Sequence, residues 1–271
     1  MVRIISSLVG LAFVFVLGLA LYSSVSGVIT DPTPATAIEE FHRHPKEVAF
    51  ASDGMMGKFD RAQLQRGLQV YKEVCSACHS LTHVAFRDLT KLGYSDAQVK
   101  KFAADWGTKA SVKDPKTGDV TERPNLPADH FPKVYYPGQG NPPDLSLITK
   151  ARHDGPAYVY SLLTGYAEQP AELLKKFPDS KTPDGLYYNP YFSNLNIAMP
   201  APLADGAVTY SDGTKNSLNQ EAKDIAAFLE WAAEPELEQR HALGFVVLGF
   251  LLVGTGLAYG SYRTIWRNVK H

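Results

Sequence analysis

Cysteine is scarce in this chain of 271 residues, which contains only Cys75 and Cys78. Both lie in one short segment, Cys75-Ser76-Ala77-Cys78-His79. A structural zinc site of this type needs a second ligand pair at similar spacing, and no other cysteine pair is available to supply it. A disulfide elsewhere in the chain is excluded for the same reason.

Charge is absent from residues 4–30 and 242–262. The second stretch is long enough to cross a bilayer, which takes about 20 apolar residues. Basic residues follow it, with aromatic residues at interface depth, and the positive-inside rule then leaves the C-terminus in the cytoplasm. We expect a transmembrane helix over 241–262 and a cytoplasmic tail over 263–271. The flanking residues are Tyr262, Arg263, Trp266, Arg267 and Lys270.

The N-terminal residues 1–30 permit two interpretations. A single basic residue, Arg3, before an apolar run suits a secretory signal, and Val25-Ser26-Gly27 offers small residues for cleavage. The run from Ile4 to Tyr22 is longer than the apolar region of most signals, which favours an uncleaved membrane anchor. Either interpretation exports the middle of the chain.

Residues 31–240 form the exported body, which we interpret as one domain because the sequence shows no internal repeat and no second linker. All 28 acidic residues lie in it, but four of the 27 basic residues do not, so its net charge is about −5. Such a surface could attract basic partners or could simply be solvated. It does not indicate a nucleic-acid partner.

The C-x-x-C-H pattern is the attachment signature of a c-type haem. Two thiols on one helical turn can add to the two vinyl groups of a haem, and His79 can then reach the iron. A thioredoxin-like redox pair would open a helix, where the helix N-terminus lowers the thiol pKa. Here the motif ends a helical segment, so we favour one covalent haem c over a redox pair or a zinc half-site.

Helical periodicity frames this motif. A helix is predicted after Asp60, a plausible N-cap, with apolar residues at spacings of three and four. Gly67 inside it costs up to ~1 kcal/mol relative to alanine, which indicates close contact with another helix. A second amphipathic helix is predicted from Ser217 to Trp231. Between them, residues 114–143 contain seven prolines, and this stretch is predicted to wrap a ligand or to be disordered.

The sixth position of a haem iron has several candidate ligands. Met199 lies downstream of the haem motif and is followed by Pro200 and Pro202, which favour an extended loop that can carry a thioether to a metal. A lone methionine more often fills a core. We favour Met199, and the alternatives are Met55, Met56, His83, His130 and His153.

Five separated motifs together resemble the cytochrome c1 family, whose members are the haem subunits of the cytochrome bc1 complex. The resemblance covers nearly the whole chain, and a generic c-type cytochrome would share only the first motif. The motifs are RGLQVYKEVCSACHS (66–80), NPPDLS (141–146), ARH (151–153) leading to SLLTGY (161–166), NPYF (189–192) with IAMP (197–200), and FLEWAAEP (228–235).

This resemblance implies a mainly α fold: a class I cytochrome c-like haem domain with long loop insertions and a C-terminal transmembrane helix. It implies thioether links from Cys75 and Cys78, axial ligation by His79 and Met199, and pairing of Arg152 with a haem propionate. It also implies electron transfer from a Rieske iron–sulfur protein to a soluble or membrane-attached cytochrome c, with cytochrome b as the membrane partner and no bond chemistry in this chain. The alternative is a membrane-anchored cytochrome that serves another dehydrogenase or a terminal oxidase.

Overall fold

The computed structural model describes residues 2–30, 34–138 and 140–269. The predicted mainly α fold is confirmed, and the strands in the described residues form two short antiparallel pairs. The helices are α1 (Val2–Thr30), α2 (Ala37–Phe41), α3 (Arg61–Val70), α4 (Asp96–Ala104), α5 (Ile148–Ala151), α6 (Gly155–Leu163), α7 (Ala171–Lys176), α8 (Leu218–Ala233) and α9 (Leu237–Trp266). The strands are β1 (Ala110–Lys113), β2 (Val120–Arg123), β3 (Tyr187–Tyr188) and β4 (Asn196–Ile197), and 3-10 helices cover Phe86–Leu92 and Pro178–Ser180.

Helices α3 and α8 cross in direct contact at Gly67. A Cβ atom placed on Gly67 would lie 2.2 Å from the carbonyl oxygen of Asp224 and 2.5 Å from the Cβ of Phe228. Only glycine therefore permits this approach. The predicted N-cap is also confirmed, because the Asp60 carboxylate accepts hydrogen bonds from the backbone N–H groups of the first turn of α3.

A buried carboxylate joins the two helices beside this crossing. Asp224 is fully buried, and its oxygens accept hydrogen bonds from Arg66 Nε at 2.8 Å, Gln63 Nε2 at 3.1 Å and Gln220 Nε2 at 2.8 Å. Arg66 also pairs with Asp212 at 2.9 Å. Removal of one partner of such a buried pair leaves an uncompensated charge, so the network fixes how α3 lies on α8.

Aromatic side chains fill the core next to α3. Tyr71, at the end of α3, stacks on Trp106 with ring centroids 6.4 Å apart, and Phe86 lies 4.4 Å from Phe131. Phe131 comes from the proline-rich stretch 114–143 and is 1% exposed. This stretch therefore packs onto the body at Phe131, while Tyr135 in the same stretch stays 89% exposed, and wrapping of a ligand stays a prediction.

Two local features differ from the simple sequence pattern. The start of the proline-rich stretch forms part of the β1–β2 hairpin, which the sequence did not indicate. The periodic segment 145–163 is interrupted between α5 and α6, where Asp154 has a left-handed backbone with φ of 62°. Arg152 therefore lies in the connection between the two helices, before α6 begins.

Helices α1 and α9 are each long and apolar enough to cross a membrane. The 30 residues of α9 correspond to about 45 Å of helix, against roughly 30 Å of bilayer hydrocarbon. The helix begins at Leu237 and ends at Trp266, which lengthens the predicted 241–262 segment at both ends. Arg263 and Arg267 lie at its far end, while Lys270 falls outside the described residues.

Candidate functional site

The cysteine motif follows a local change of helical geometry. α3 continues into a π-helical turn over Tyr71–Cys75, in which the Ser76 amide donates to the Tyr71 carbonyl at 2.8 Å. The Cys75 carbonyl then accepts the amides of Cys78 at 3.1 Å and His79 at 2.9 Å. Both thiols and the imidazole are thus carried on one compact turn at the end of a helix.

The two thiols are free cysteines in the structure, not a disulfide. Cys75 packs against the core. Burial, together with the neighbouring Cys78 thiol, raises the pKa of the Cys75 thiol to about 12. A thioredoxin-like pair needs a lowered thiol pKa, so this environment does not suit that alternative.

The imidazole of His79 is fixed by a backbone carbonyl. His79 Nδ1 lies 2.8 Å from the carbonyl oxygen of Pro143. A carbonyl can only accept a hydrogen bond, so Nδ1 carries the proton and the lone pair of Nε2 is left for a metal. The Tyr71 hydroxyl donates to the His79 carbonyl at 3.0 Å and holds the residue from the other side.

The segment that supplies Pro143 is itself tied to the residues after the haem motif. Asp144 accepts hydrogen bonds from the Thr82 hydroxyl at 2.6 Å and the Ser146 amide at 2.8 Å, and the Leu145 amide donates to the Ser80 carbonyl at 2.9 Å. Burial opposes ionisation of Asp144, but the hydrogen bonds from Ser146 and Thr82 outweigh it and hold the pKa at about 2. The charged Asp144 thereby positions the carbonyl that orients His79.

Met199 lies on a loop that contacts the start of the Pro143 segment, at Gly140. Its side chain is half-buried, and its carbonyl accepts a hydrogen bond from the Tyr166 hydroxyl at 3.0 Å. The Cβ of the preceding Ala198 lies 3.8 Å from a Cβ atom built on Gly140, three residues before Pro143. The structure therefore brings the His79 and Met199 chain segments to the same stretch, 140–143.

Asn189 anchors the base of the Met199 loop. It is fully buried, its Nδ2 donates to the Leu162 carbonyl at 2.8 Å, and its backbone amide donates to the Leu195 carbonyl at 2.8 Å. Leu195 has a positive φ of 65°, which a non-glycine residue adopts only under local constraint. The NPYF motif is visible in the sequence, but the anchoring role of its asparagine depends on the folded chain.

Arg152 is exposed beside the half-buried Tyr158. Burial raises the pKa of Tyr158, and the guanidinium of Arg152 opposes this rise. Tyr158 in turn lies near Tyr166, whose hydroxyl holds Met199. Arg152 Nη1 donates to the Ala151 carbonyl at 3.0 Å, and among the described residues no ion pair neutralises the charge of its guanidinium.

The other candidate sixth ligands lie in different settings. His130 Nδ1 is 2.7 Å from the Thr82 carbonyl, and the amide of His83 donates to the Ser146 hydroxyl, so both belong to the region around His79. The His153 side chain is fully exposed. Met55 and Met56 precede α3, at the end opposite the haem motif.

The donor set fits a covalent haem. Two free thiols on one turn suit two thioether bonds, a fixed imidazole offers its Nε2, and Met199 offers a thioether on a loop tethered by Tyr166. Within the described ranges, no group of three or more His, Cys, Asp and Glu residues could hold a metal ion.

Comparison with known proteins identifies similar sequences along most of the chain. The family model for the Cytochrome C1 family matches residues 50–269. A cytochrome c1 from Rhodospirillum rubrum is 44% identical over 235 residues, which cover 80% of this chain and 86% of that protein. A cytochrome c1 from Blastochloris viridis is 37% identical over 285 residues, covering 94% and 96%. A protein named cytochrome b/c1 from Bradyrhizobium diazoefficiens is 45% identical over 236 residues, but these cover 79% of this chain and only 34% of that longer protein.

Proposed function

Because the chain belongs to the cytochrome c1 family, the haem subunits of the cytochrome bc1 complex, we propose that it takes electrons from a Rieske iron–sulfur protein and passes them to a cytochrome c. The observation that carries this proposal is the bond between His79 Nδ1 and the Pro143 carbonyl, next to two free thiols. It leaves an oriented imidazole Nε2 at the place where a c-type haem would be attached.

Each site residue has a separate task in this proposal. A c-type haem would supply reversible one-electron exchange at its iron. Cys75 and Cys78 would hold it covalently, and His79 would offer its Nε2 in a tautomer set by the Pro143 carbonyl. Met199 would offer a thioether ligand, and a thioether raises the reduction potential relative to a second histidine. Arg152 offers a cation for a propionate, which compensates the cost of placing that carboxylate against the protein.

The membrane arrangement rests on α9. Members of this family are membrane-bound subunits, and α9 is long enough to anchor the haem domain. By the positive-inside rule, Arg263 and Arg267 at its far end favour a cytoplasmic C-terminus, with the haem domain on the periplasmic side of the inner membrane. Whether α1 is a cleaved signal or a second anchor does not change this orientation.

A cytochrome b is the membrane partner we propose for α9. Apart from the helix's own nearby backbone, no atom of the described residues lies within 4 Å of a Cβ added to any of its five glycines, so these positions are open to other helices. The name cytochrome b/c1 of the Bradyrhizobium relative, in which the matched region is only one third of the protein, agrees with such a partnership. The glycines are Gly244, Gly249, Gly254, Gly256 and Gly260.

Purification of the tagged chain from its own membranes tests this function. We expect a reduced-minus-oxidised c-type spectrum, one covalently bound haem per chain, and co-purification of a b-type cytochrome and an iron–sulfur protein. Addition of ubiquinol should reduce the haem, and an inhibitor of quinol oxidation should prevent it. Co-purification with a different dehydrogenase or an oxidase, without quinol-dependent reduction, would support the alternative function. A colourless protein would exclude both.

A further inference from the structure

Two adjacent methionines are presented to the outside beside the start of α9. Met55 is 75% exposed and Met56 is 79% exposed. The Gly57 amide donates to the Gly54 carbonyl at 3.2 Å, so the two methionines occupy the corners of a tight turn. Gly54, the first residue of the turn, has φ of 79°, a left-handed backbone conformation that glycine adopts freely.

This turn is firmly built. The Lys58 amide donates to the Ala51 carbonyl at 2.8 Å, and the buried Ser52 donates its hydroxyl to Glu230 of α8 at 2.5 Å. A Cβ on Gly57 would lie 2.1 Å from the Ser52 carbonyl oxygen, so the two arms of the turn are in close contact. Exposure of the methionines is therefore imposed by the packed base of the turn.

Contacts with α9 set the level of the turn relative to the membrane. Glu238 accepts hydrogen bonds from the Phe59 amide at 2.8 Å and from Arg61 at 2.9 Å. Three residues further along α9, which is about 4.5 Å of helix rise, the ring of His241 lies 3.3 Å from the Gly57 carbonyl. Residues 57–61 therefore run antiparallel to the start of α9, with Gly57 further along the helix than Phe59.

If this antiparallel course continues to Met56 and Met55, the methionine turn lies beside the first uncharged residues of α9. The residues before Gly57 are Met56 and Met55, and the residue after His241 is Ala242, where the charge-free stretch begins. Lys58 is exposed at the arm of the turn, where a cation suits anionic headgroups. Apolar side chains at the level where a helix enters the bilayer are stabilised by the boundary between headgroups and acyl chains.

We propose that the turn Gly54–Gly57 inserts Met55 and Met56 into the membrane surface as a second, non-helical contact with lipid. The turn would then limit how far the haem domain can tilt on α9. This proposal goes beyond electron transfer, and it requires that α9 cross the membrane.

A photo-reactive residue at position 56 tests the proposal in the intact complex. p-Benzoylphenylalanine replaces Met56 in one strain, Val253 of α9 in a second and Tyr187 of β3 in a third, since both controls are also exposed apolar positions. Irradiated membranes are purified through the tagged chain and analysed by mass spectrometry. We expect position 56 to gain the mass of one phospholipid, position 253 to couple to lipid or to a membrane subunit, and position 187 to gain no lipid.

The outcomes separate the lipid contact from the other proposals. Coupling of position 56 to another polypeptide, without lipid, would show that the turn docks on a protein and would overturn the inference. An unreacted position 56 beside a reactive position 253 would also overturn it, while leaving the membrane helix and the proposed function intact. Failure of position 253 to reach lipid or a membrane subunit would reject both the span and the turn contact.

Discussion

The histidine side and the methionine side of the proposed haem site are held in different ways. The histidine side comprises residues 71–83, 130–138 and 140–146, which are joined by backbone hydrogen bonds such as Leu145 N–H to the Ser80 carbonyl at 2.9 Å. The methionine side comprises residues 158–166 and 187–203. Backbone hydrogen bonds pair β3 with β4 inside the second range, but the two ranges are joined to each other by single side chains, chiefly the Asn189 carboxamide and the Tyr166 hydroxyl.

This difference indicates which ligand the fold fixes before a haem is present. His79 is held at its ring and at its carbonyl, and the supporting segment is itself tied by Asp144. For Met199, the structure describes a hydrogen bond at its backbone carbonyl. We therefore expect changes on the histidine side to affect folding and haem retention, and changes on the methionine side to affect mainly the reduction potential.

Gly67→Ala is the change with the largest expected effect, because it separates the helix that carries the histidine side from α8. The added methyl group would lie 2.2 Å from a backbone oxygen of Asp224, so the helices must move apart. We expect the free energy of unfolding to fall by about 3 kcal/mol or more and little mature haem protein to accumulate. The measurement is the yield of haem-stained chain per total chain.

Gly107→Ala is the matched control, because in the described part of the chain no atom beyond its two neighbours lies within 4 Å of its added Cβ. It should keep the normal yield. A normal yield for Gly67→Ala as well would show that the crossing tolerates separation and would contradict the rigid histidine side.

Met199→Leu tests the opposite side. Leucine has nearly the volume of methionine but cannot ligate iron, so the chain should fold and keep its covalent haem while the reduction potential falls sharply. The measurement is a redox titration of the reduced haem spectrum. Met56→Leu is the control, because this exposed residue lies at the other end of α3 and should leave the potential unchanged. An unchanged potential in Met199→Leu would mean that another residue is the sixth ligand.

Much of the histidine side could be predicted from the sequence, because its order follows the chain. Asp60 caps α3, Gly67 marks the crossing with α8, and Cys75 to His79 follow at the end of the helix. These are local signals, with a known spacing or a known steric reason.

The contacts that orient the ligands could not be predicted in the same way. The Pro143 carbonyl is 64 residues from His79 in the sequence, and any residue type has a carbonyl to offer. The Tyr166–Met199 bond likewise depends on two loops meeting in space. The NPPDLS and SLLTGY motifs marked the right segments, but their physical roles appear only once the chain is folded.

Asp144→Asn should weaken the histidine side by an intermediate amount. Because the pKa of Asp144 is held at about 2, below its ordinary value, its charge stabilises the folded state above about pH 4, and this stabilisation is lost as the pH falls towards 2. We expect the variant to lose about 2 kcal/mol of unfolding free energy at pH 7. Its stability should also depend less on pH between about 4 and 2.

Acid titration of both proteins, followed by unfolding at each pH, measures this effect. Asp129→Asn is a useful control, because its carboxylate also has a pKa of about 2, owing to its hydrogen bond with Arg123, but it lies away from the Pro143 segment. It should change acid stability without changing the haem spectrum. Equal spectral changes in the two variants would remove the special role of Asp144.

Tyr166→Phe should have the smallest effect and sharpens the comparison most. The change keeps the ring and removes the hydroxyl that donates to the Met199 carbonyl, a bond worth about 1 kcal/mol. Burial raises the pKa of Tyr166, so the wild-type hydroxyl stays protonated and keeps donating throughout the neutral range. The variant should fold and hold its haem, but added imidazole should displace the Met199 thioether with about fivefold higher affinity. The ratio of the two affinities should not depend on pH near neutrality.

Spectral titration with imidazole measures the affinity of each variant. Tyr187→Phe, with its partly exposed ring on β3, provides the control. If Tyr166→Phe bound imidazole no more tightly than Tyr187→Phe, the Met199 loop would have to be held by its packing, and the methionine side would be as rigid as the histidine side.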